Sequence, residues 1–313
     1  MKKSLALIAV FVLFAISGVS QVRQAKRFSD WKPIIHLPAP INSSFDDHAA
    51  ILSRDERTMF FTSNRPGSVS RSEDIWYSTR RDRSHPWSEP IRLGPMINTP
   101  AMERVRSFSD DDRILVFQSD RGGTLGATDI WATVRTDTTD NYTWSEPVNL
   151  GPMINTPTTE LAANYVFADS GLYRKLFFTS SIFGSPDIYE STIGGLGFEL
   201  PVSVVELNTP SIETCFWVRD DGLEIIFSSN RPNITGDIQQ HDMWAAYRES
   251  VYNVWSPPER LKGNVNVPNW QDVNPALSSD NRTMLMASRR PGGIGPGTFD
   301  IYVTTRSLLP NAR

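Results

Sequence analysis

The feature that most constrains this chain is that it repeats itself. Trp87-Ser88-Glu89-Pro90 leads to Leu93-Gly94-Pro95-Met96-Ile97-Asn98-Thr99-Pro100. About 57 residues on, Trp144-Ser145-Glu146-Pro147 leads to Leu150-Gly151-Pro152-Met153-Ile154-Asn155-Thr156-Pro157. A third copy is reduced to Phe198-Glu199-Leu200-Pro201 and Leu207-Asn208-Thr209-Pro210, and a fourth reads Trp255-Ser256-Pro257-Pro258, Leu261, Asn266. A period of roughly 55–58 residues marks one supersecondary unit that cannot bury its apolar faces alone and must stack on its neighbours.

Each copy continues with an acid, an apolar run and a polar turn. The turns are Ser53-Arg54-Asp55-Glu56, Ser109-Asp110-Asp111-Asp112, Ala168-Asp169-Ser170-Gly171, Arg219-Asp220-Asp221-Gly222 and Ser278-Ser279-Asp280-Asn281. Such clusters between apolar runs are hairpin chemistry. A second strand follows, then a loop of the form Ser-Asn-Arg-Pro-Gly: Ser63 to Gly67, Ser119 to Gly123, Ser229 to Asn233 and Ser288 to Gly292. In the third copy, Ser180 to Gly184, the arginine is lost. A third strand opens at Asp74-Ile75-Trp76, Asp129-Ile130-Trp131, Asp187-Ile188-Tyr189, Asp242-Met243-Trp244 and Asp300-Ile301-Tyr302, and the Trp-Ser-Glu-Pro segment is the fourth. No sustained 3.6-residue period argues for a helix.

Four short strands per repeat with an aromatic at a fixed offset predict an all-β propeller of five four-stranded blades. The last repeat ends after its third strand near Arg306, and Trp31-Lys32-Pro33, Leu37 and Asn42 carry the missing pattern at the other end of the chain. The N-terminal segment is therefore expected to supply the last blade's outer strand and close the ring, which also removes an open sheet edge. The expected division is a signal peptide over 1–20, a single propeller over 21–306 and a tail over 307–313. Lys2 and Lys3 before the apolar run Leu5 to Ile16, then Gly18-Val19-Ser20, form the leader pattern. The expected location is periplasmic or extracellular, with no transmembrane anchor and a monomeric state. A net charge of −4 gives no electrostatic case for nucleic acid, and a lone Cys215 gives no internal disulfide.

These motifs resemble the TolB-type, WD-like propeller repeats of bacterial envelope proteins, from about Trp31 to Arg306. The resemblance implies a propeller that binds a partner and does not catalyse. Polar residues fall in the two loops that a blade places on one face. Entering the inner strands are Asp47, Glu103, Glu160, Glu213 and Asp272; in the second loops are Arg65, Arg121, Arg231 and Arg290. A ring of acids at a channel mouth, each within reach of an arginine, is expected. Arginine suits such planar, multi-donor pairing. Carboxylates around one axis also suit Ca²⁺, although no compact Ca²⁺ loop is present; the expectation is no cofactor, with Ca²⁺ as the alternative. The departures from the repeat near the mouth are His48, Arg104, Arg106 and Trp270, the last a stacking platform for a sugar or peptide or else a filler between blades. The long loop from Asn233 to Gln240 is a place for specificity, and His241 reads as an ordinary surface residue. The leading expectation is a non-catalytic scaffold that binds an envelope protein or glycan through its loop face. The alternative is a glycoside hydrolase-like enzyme using funnel carboxylates; no Ser-His-Asp set is present among the four histidines.

Overall fold

The computed structural model describes residues 28–69, 73–109, 111–141, 143–232 and 240–309. Its sheets are five antiparallel blades around one axis, the five-bladed propeller that the repeat predicts. In the first blade the strands are Asp47–Leu52, Thr58–Ser63, Asp74–Thr79 and Ile91–Arg92, in that order from the axis outward. The fifth blade takes Asp272–Leu277, Thr283–Ser288 and Asp300–Thr305 from one end of the chain and Ile35–His36 from the other. Ile35 pairs with Val303 and His36 with Tyr302, so the N-terminal segment closes the ring as expected. The inner strand Asp272–Leu277 also touches the inner strand Asp47–Leu52 of the first blade. The leader and most of the loop from Asn233 to Gln240 lie outside the described residues.

The segments between blades carry little regular structure, and the repeat residues explain how they hold. Asn98 Oδ1 accepts from Ile75 N at 2.8 Å, while Nδ2 donates to Ile75 O at 2.9 Å and Leu93 O at 3.0 Å. Its side chain stands in for a strand residue beside the third strand. Asn42, Asn155, Asn208 and Asn266 do the same to Ile301, Ile130, Ile188 and Met243. Five residues on, or six in the last copy, the backbone N–H of each ring acid donates to the residue that precedes the third strand of the blade before it. These bonds run from Glu103 to Glu73, Glu160 to Thr128, Glu213 to Pro186, Asp272 to His241 and Asp47 to Phe299, at 2.8–3.0 Å.

Between blades the strand faces bury aromatic and branched side chains, with Phe60, Phe117, Phe177 and Phe227 fully enclosed. Gly67 and Gly123 close the second loop at φ +101° and +96°, and at Gly67 a Cβ would also press on the ring of Trp76. The third blade departs from its sisters. Its first three strands run over Glu160–Ala168, Tyr173–Ser180 and Asp187–Gly194, and the last of these pairs with both Gly197–Phe198 and Val202–Ser203.

Replacing Asn98 with Ala leaves the buried Ile75 N–H and the Leu93 carbonyl without their partner at a blade junction, while Ile75 O keeps Leu93 N. Asn98→Ala should cost about 2–4 kcal/mol, read as a lower urea midpoint, against under about 0.5 kcal/mol for the exposed Glu89→Ala. Equal midpoints would refute the role assigned to the asparagines.

Candidate functional site

The register puts the ring acids and the arginine loops at one end of every blade, since Asp47 pairs with Ser63 and Glu103 with Ser119. There Asp47 pairs with Arg65 at 2.6 Å, Glu103 with Arg121 at 3.1 Å, Glu213 with Arg231 at 3.0 Å and Asp272 with Arg290 at 2.5 Å. All four acids have side chains with no exposed surface. Each guanidinium also bonds carbonyls of the preceding linker, such as Ile97 O at 2.5 Å from Arg121, and lies over an aromatic ring such as Trp131 at 5.3 Å. The linker binds the acid in turn: Thr99 N and Oγ1 donate to Glu103 at 2.9 and 2.6 Å. Glu160 has no arginine in its blade, and Thr156 and Ser180 hydroxyls at 2.7 Å take that place. Burial pushes the carboxyls of Glu103, Glu160 and Asp272 above their ordinary range.

Two of the departures from the repeat, His48 and Arg104, meet between the first and second blades. Glu73, just before the third strand of the first blade, lies 3.3 Å from His48 Nε2 and accepts from Arg104 Nε. Burial opposes its charge, but the bonds from His48 and Arg104 hold its carboxyl well below the carboxylate range. Glu73 was not singled out by the sequence; its position holds Thr128, Pro186, His241 and Phe299 in the other blades, and that variability was the available signal. Trp270 is half-buried in the loop before Asp272. His241, expected to be an ordinary surface residue, has both ring nitrogens shielded and without a hydrogen-bond partner among the described residues, and burial lowers its pKa. Its backbone O is one of the five blade-to-blade acceptors. On the axis itself the channel narrows to a cavity of about 20 Å³.

The opposite face, built from the hairpin turns, holds a groove of about 770 Å³ between the first two blades. Arg54, Asp55, Asp111, Asp112, Thr139 and Asn141 are among its walls. The fourth turn residue has positive φ in these two blades, 55° at Glu56 and 56° at Asp112. Other copies place Gly171, Gly222 or Asn281 at that left-handed position, where an acid is uncommon. Arg135 Nε donates to Asp112 O at 2.8 Å and its guanidinium lies 4.8 Å from Trp144, which fixes the turn. Burial pushes the Asp112 carboxyl up to about 6, against hydrogen bonds from Arg54 N at 3.0 and 2.8 Å and with help from the charge of Asp55. Asp55 accepts from Ser53 Oγ at 2.7 Å and Arg57 N at 2.9 Å. For Asp111 burial raises the carboxyl, but bonds from Ser109 Oγ and Arg113 N outweigh it and hold the group low. Two acids of one groove are thus driven in opposite directions, the arrangement that divides acid from base roles. The sequence reading had absorbed these acids as turn residues; the non-glycine at the left-handed position was the signal. Among the described residues no group of three or more His, Cys, Asp or Glu could hold a metal ion, and no helix is long and apolar enough to cross a membrane.

No protein-family model matches the sequence, and neither does any curated protein. Solved structures do match in fold. An α-L-arabinofuranosidase from Podospora anserina, solved with cellotriose, is 12% identical, with 91% of this chain and 98% of that chain covered at a TM-score of 0.53. A family 117 glycoside hydrolase from the marine bacterium Zobellia galactanivorans is 10% identical, with 93% of each chain covered at 0.54. TolB from Acinetobacter baumannii is 13% identical, with 80% of this chain and 54% of that chain covered at 0.45. Glycoside hydrolase propellers are among the structures that match over about nine-tenths of this chain, and that finding goes against the expectation of a non-catalytic binding scaffold. The likeness at these identities is one of fold.

The buried pairs give a test of their own. Arg121→Met strands the Glu103 carboxylate and should cost about 3–5 kcal/mol at pH 7. With the arginine gone the folded-state pKa of Glu103 rises further above its unfolded value. Stability is then greatest at low pH and is lost as pH rises past the ordinary glutamate range. Adding Glu103→Gln should restore most of the loss; denaturant curves at pH 4 and pH 7 that shift in parallel for all variants would contradict the pairing.

Proposed function

We propose that this chain is a glycoside hydrolase-like enzyme that takes a glycan into the groove between its first two blades. The observation that carries the reading is Asp112, a carboxyl pushed up to about 6 in a groove of about 770 Å³ that it shares with Asp55 and Asp111. That size suits a small-molecule or sugar site. A proton donor for glycosidic oxygen needs a carboxyl still protonated near neutral pH, and its partner must be ionised. Asp112 fills the first role. Asp111, which the bonds from Ser109 Oγ and Arg113 N hold low, fills the second.

In this reading the Asp112 proton passes to the glycosidic oxygen as its bond to the anomeric carbon breaks. Asp111 takes a proton from the water whose oxygen bonds to that carbon. Thr138, Thr139 and Asn141 stand in the same groove as hydroxyl and amide partners for sugar hydroxyls. The whole-chain overlap with glycoside hydrolase propellers supports the scaffold, and furanosides are the first substrates to try. The ring acids, with no exposed surface, serve the blade junctions. The repeat is read as TolB-type on its Ser-Asn-Arg-Pro-Gly, Asp-Ile-Trp and Trp-Ser-Glu-Pro motifs, and the chain as exported on its leader pattern.

The test is hydrolysis of a panel of aryl furanosides and pyranosides. Wild type should cleave at least one, with kcat falling as pH rises through about 6, because the donor loses its proton there. Asp112→Asn should lower kcat by about 10²–10⁴-fold and leave the fold intact by circular dichroism. A panel with no substrate, or equal cleavage by Asp112→Asn, would sink the proposal.

A further inference from the structure

Every inner strand slips register against its neighbour after the ring acid, so each blade turns a bulge toward the axis. Bulges re-aim side chains. In the second blade the pairing passes from Val105–Phe117 to Ser107–Val116, and Arg106 is the residue left over. Its side chain lines the axial cavity of about 20 Å³, with Ala49, Ala50, Ala162 and Ala163 around it and Cys215 and Asn274 as polar neighbours. Arg106 Nη2 donates to Gln118 Oε1 and Nη1 to Cys215 Sγ at 3.7 Å, while Nε has no partner.

No carboxylate among the described residues forms an ion pair with this guanidinium. Cys215 and, after it, Glu73 are the groups that favour its charge, and Glu73 is already held by Arg104 and His48. The guanidinium of Arg104 acts on Arg106 in the opposite sense. A half-buried cation without a paired counter-charge is costly, and the space beside it has room for a small particle. A monatomic anion suits such a space.

We propose that the axial cavity is a halide site, occupied by chloride and held by Arg106 where the five inner strands converge. The bound ion supplies the missing counter-charge and ties the second blade to the fourth through Arg106 and Cys215. It stabilises the ring and stands apart from the groove on the turn face, so it holds whether or not the enzyme reading does.

Thermal unfolding of the full chain in sodium chloride or bromide, against sodium gluconate at equal ionic strength, is the test. Wild type should gain a saturable rise of roughly 3 °C in halide alone, and Arg106→Met should lose that dependence. Bromide-soaked crystals of wild type should show an anomalous peak on the axis beside Arg106, a readout that survives if the variant fails to fold. Superimposed halide and gluconate curves for wild type, the outcome if a Cys215 thiolate carried the counter-charge, would overturn the proposal. An axis without bromide would do the same.

Discussion

Each blade is joined to the next by an irregular linker, and the ring exists because that linker is made to behave as sheet. From Leu93 to Glu103 the chain leaves one blade and enters the next with almost no strand pairing, yet few of its polar groups are left without partners. Asn98 reproduces the hydrogen bonds of a strand residue beside Ile75, and Glu103 N finishes the step on Glu73 O. The linker then donates Thr99 N and Oγ1 to the Glu103 carboxylate, and Arg121 binds both that carboxylate and Ile97 O. An unpaired buried backbone group costs as much as a lost hydrogen bond. Five such junctions must close together for the ring to meet itself, so the same side chains return in every blade.

A second set of arginines organises the turn face. Arg80, Arg135, Arg248 and Arg306 each follow a third strand and donate Nε to the carbonyl of the left-handed turn residue, from Glu56 to Asn281. Each lies over the tryptophan four residues before its blade's fourth strand, Trp87, Trp144, Trp255 or Trp31, at 4.1–4.8 Å. The Trp-Ser-Glu-Pro segment thus leads into that strand and is not the strand itself. The third blade shows what happens when the device is removed. Ile193 stands at the arginine position and pairs directly with Phe198 at the tryptophan position. The same blade has lost the arginine of the other face, and there Glu160 relies on hydroxyl groups. Cation and aromatic change as a unit, and an apolar pair is the alternative.

This architecture decides where chemistry has room. The ring acids look catalytic as a sequence pattern but are spent on the junctions, with no surface to offer a substrate. Rigid junctions on one face leave the turn face free to vary, and there the first two blades replace a glycine or asparagine by Glu56 and Asp112. Holding an acid at a left-handed backbone position works against local preference, and Arg135 and Arg54 N secure it. Glu56 is drawn into pairing with Arg83 at 2.6 Å. Asp112 is held by a backbone N–H, but burial, helped by the charge of Asp55, outweighs that bond and its carboxyl rises toward neutrality.

The sequence by itself determined the blade count, the closure by the N-terminal segment, the strand order and the pairing of acids with arginines. All are consequences of a period and of residue types that recur at fixed offsets within one repeat. It did not show that Glu73 would join His48 to Arg104, that a bulge would turn Arg106 to the axis, or that Asp55 and Asp112 would face one groove from adjacent blades. Those relations join residues at offsets the repeat does not encode, between copies that differ. Tertiary structure alone decided them, because the curvature of the ring sets which turns converge, and burial at that convergence sets the charge each carboxyl can keep.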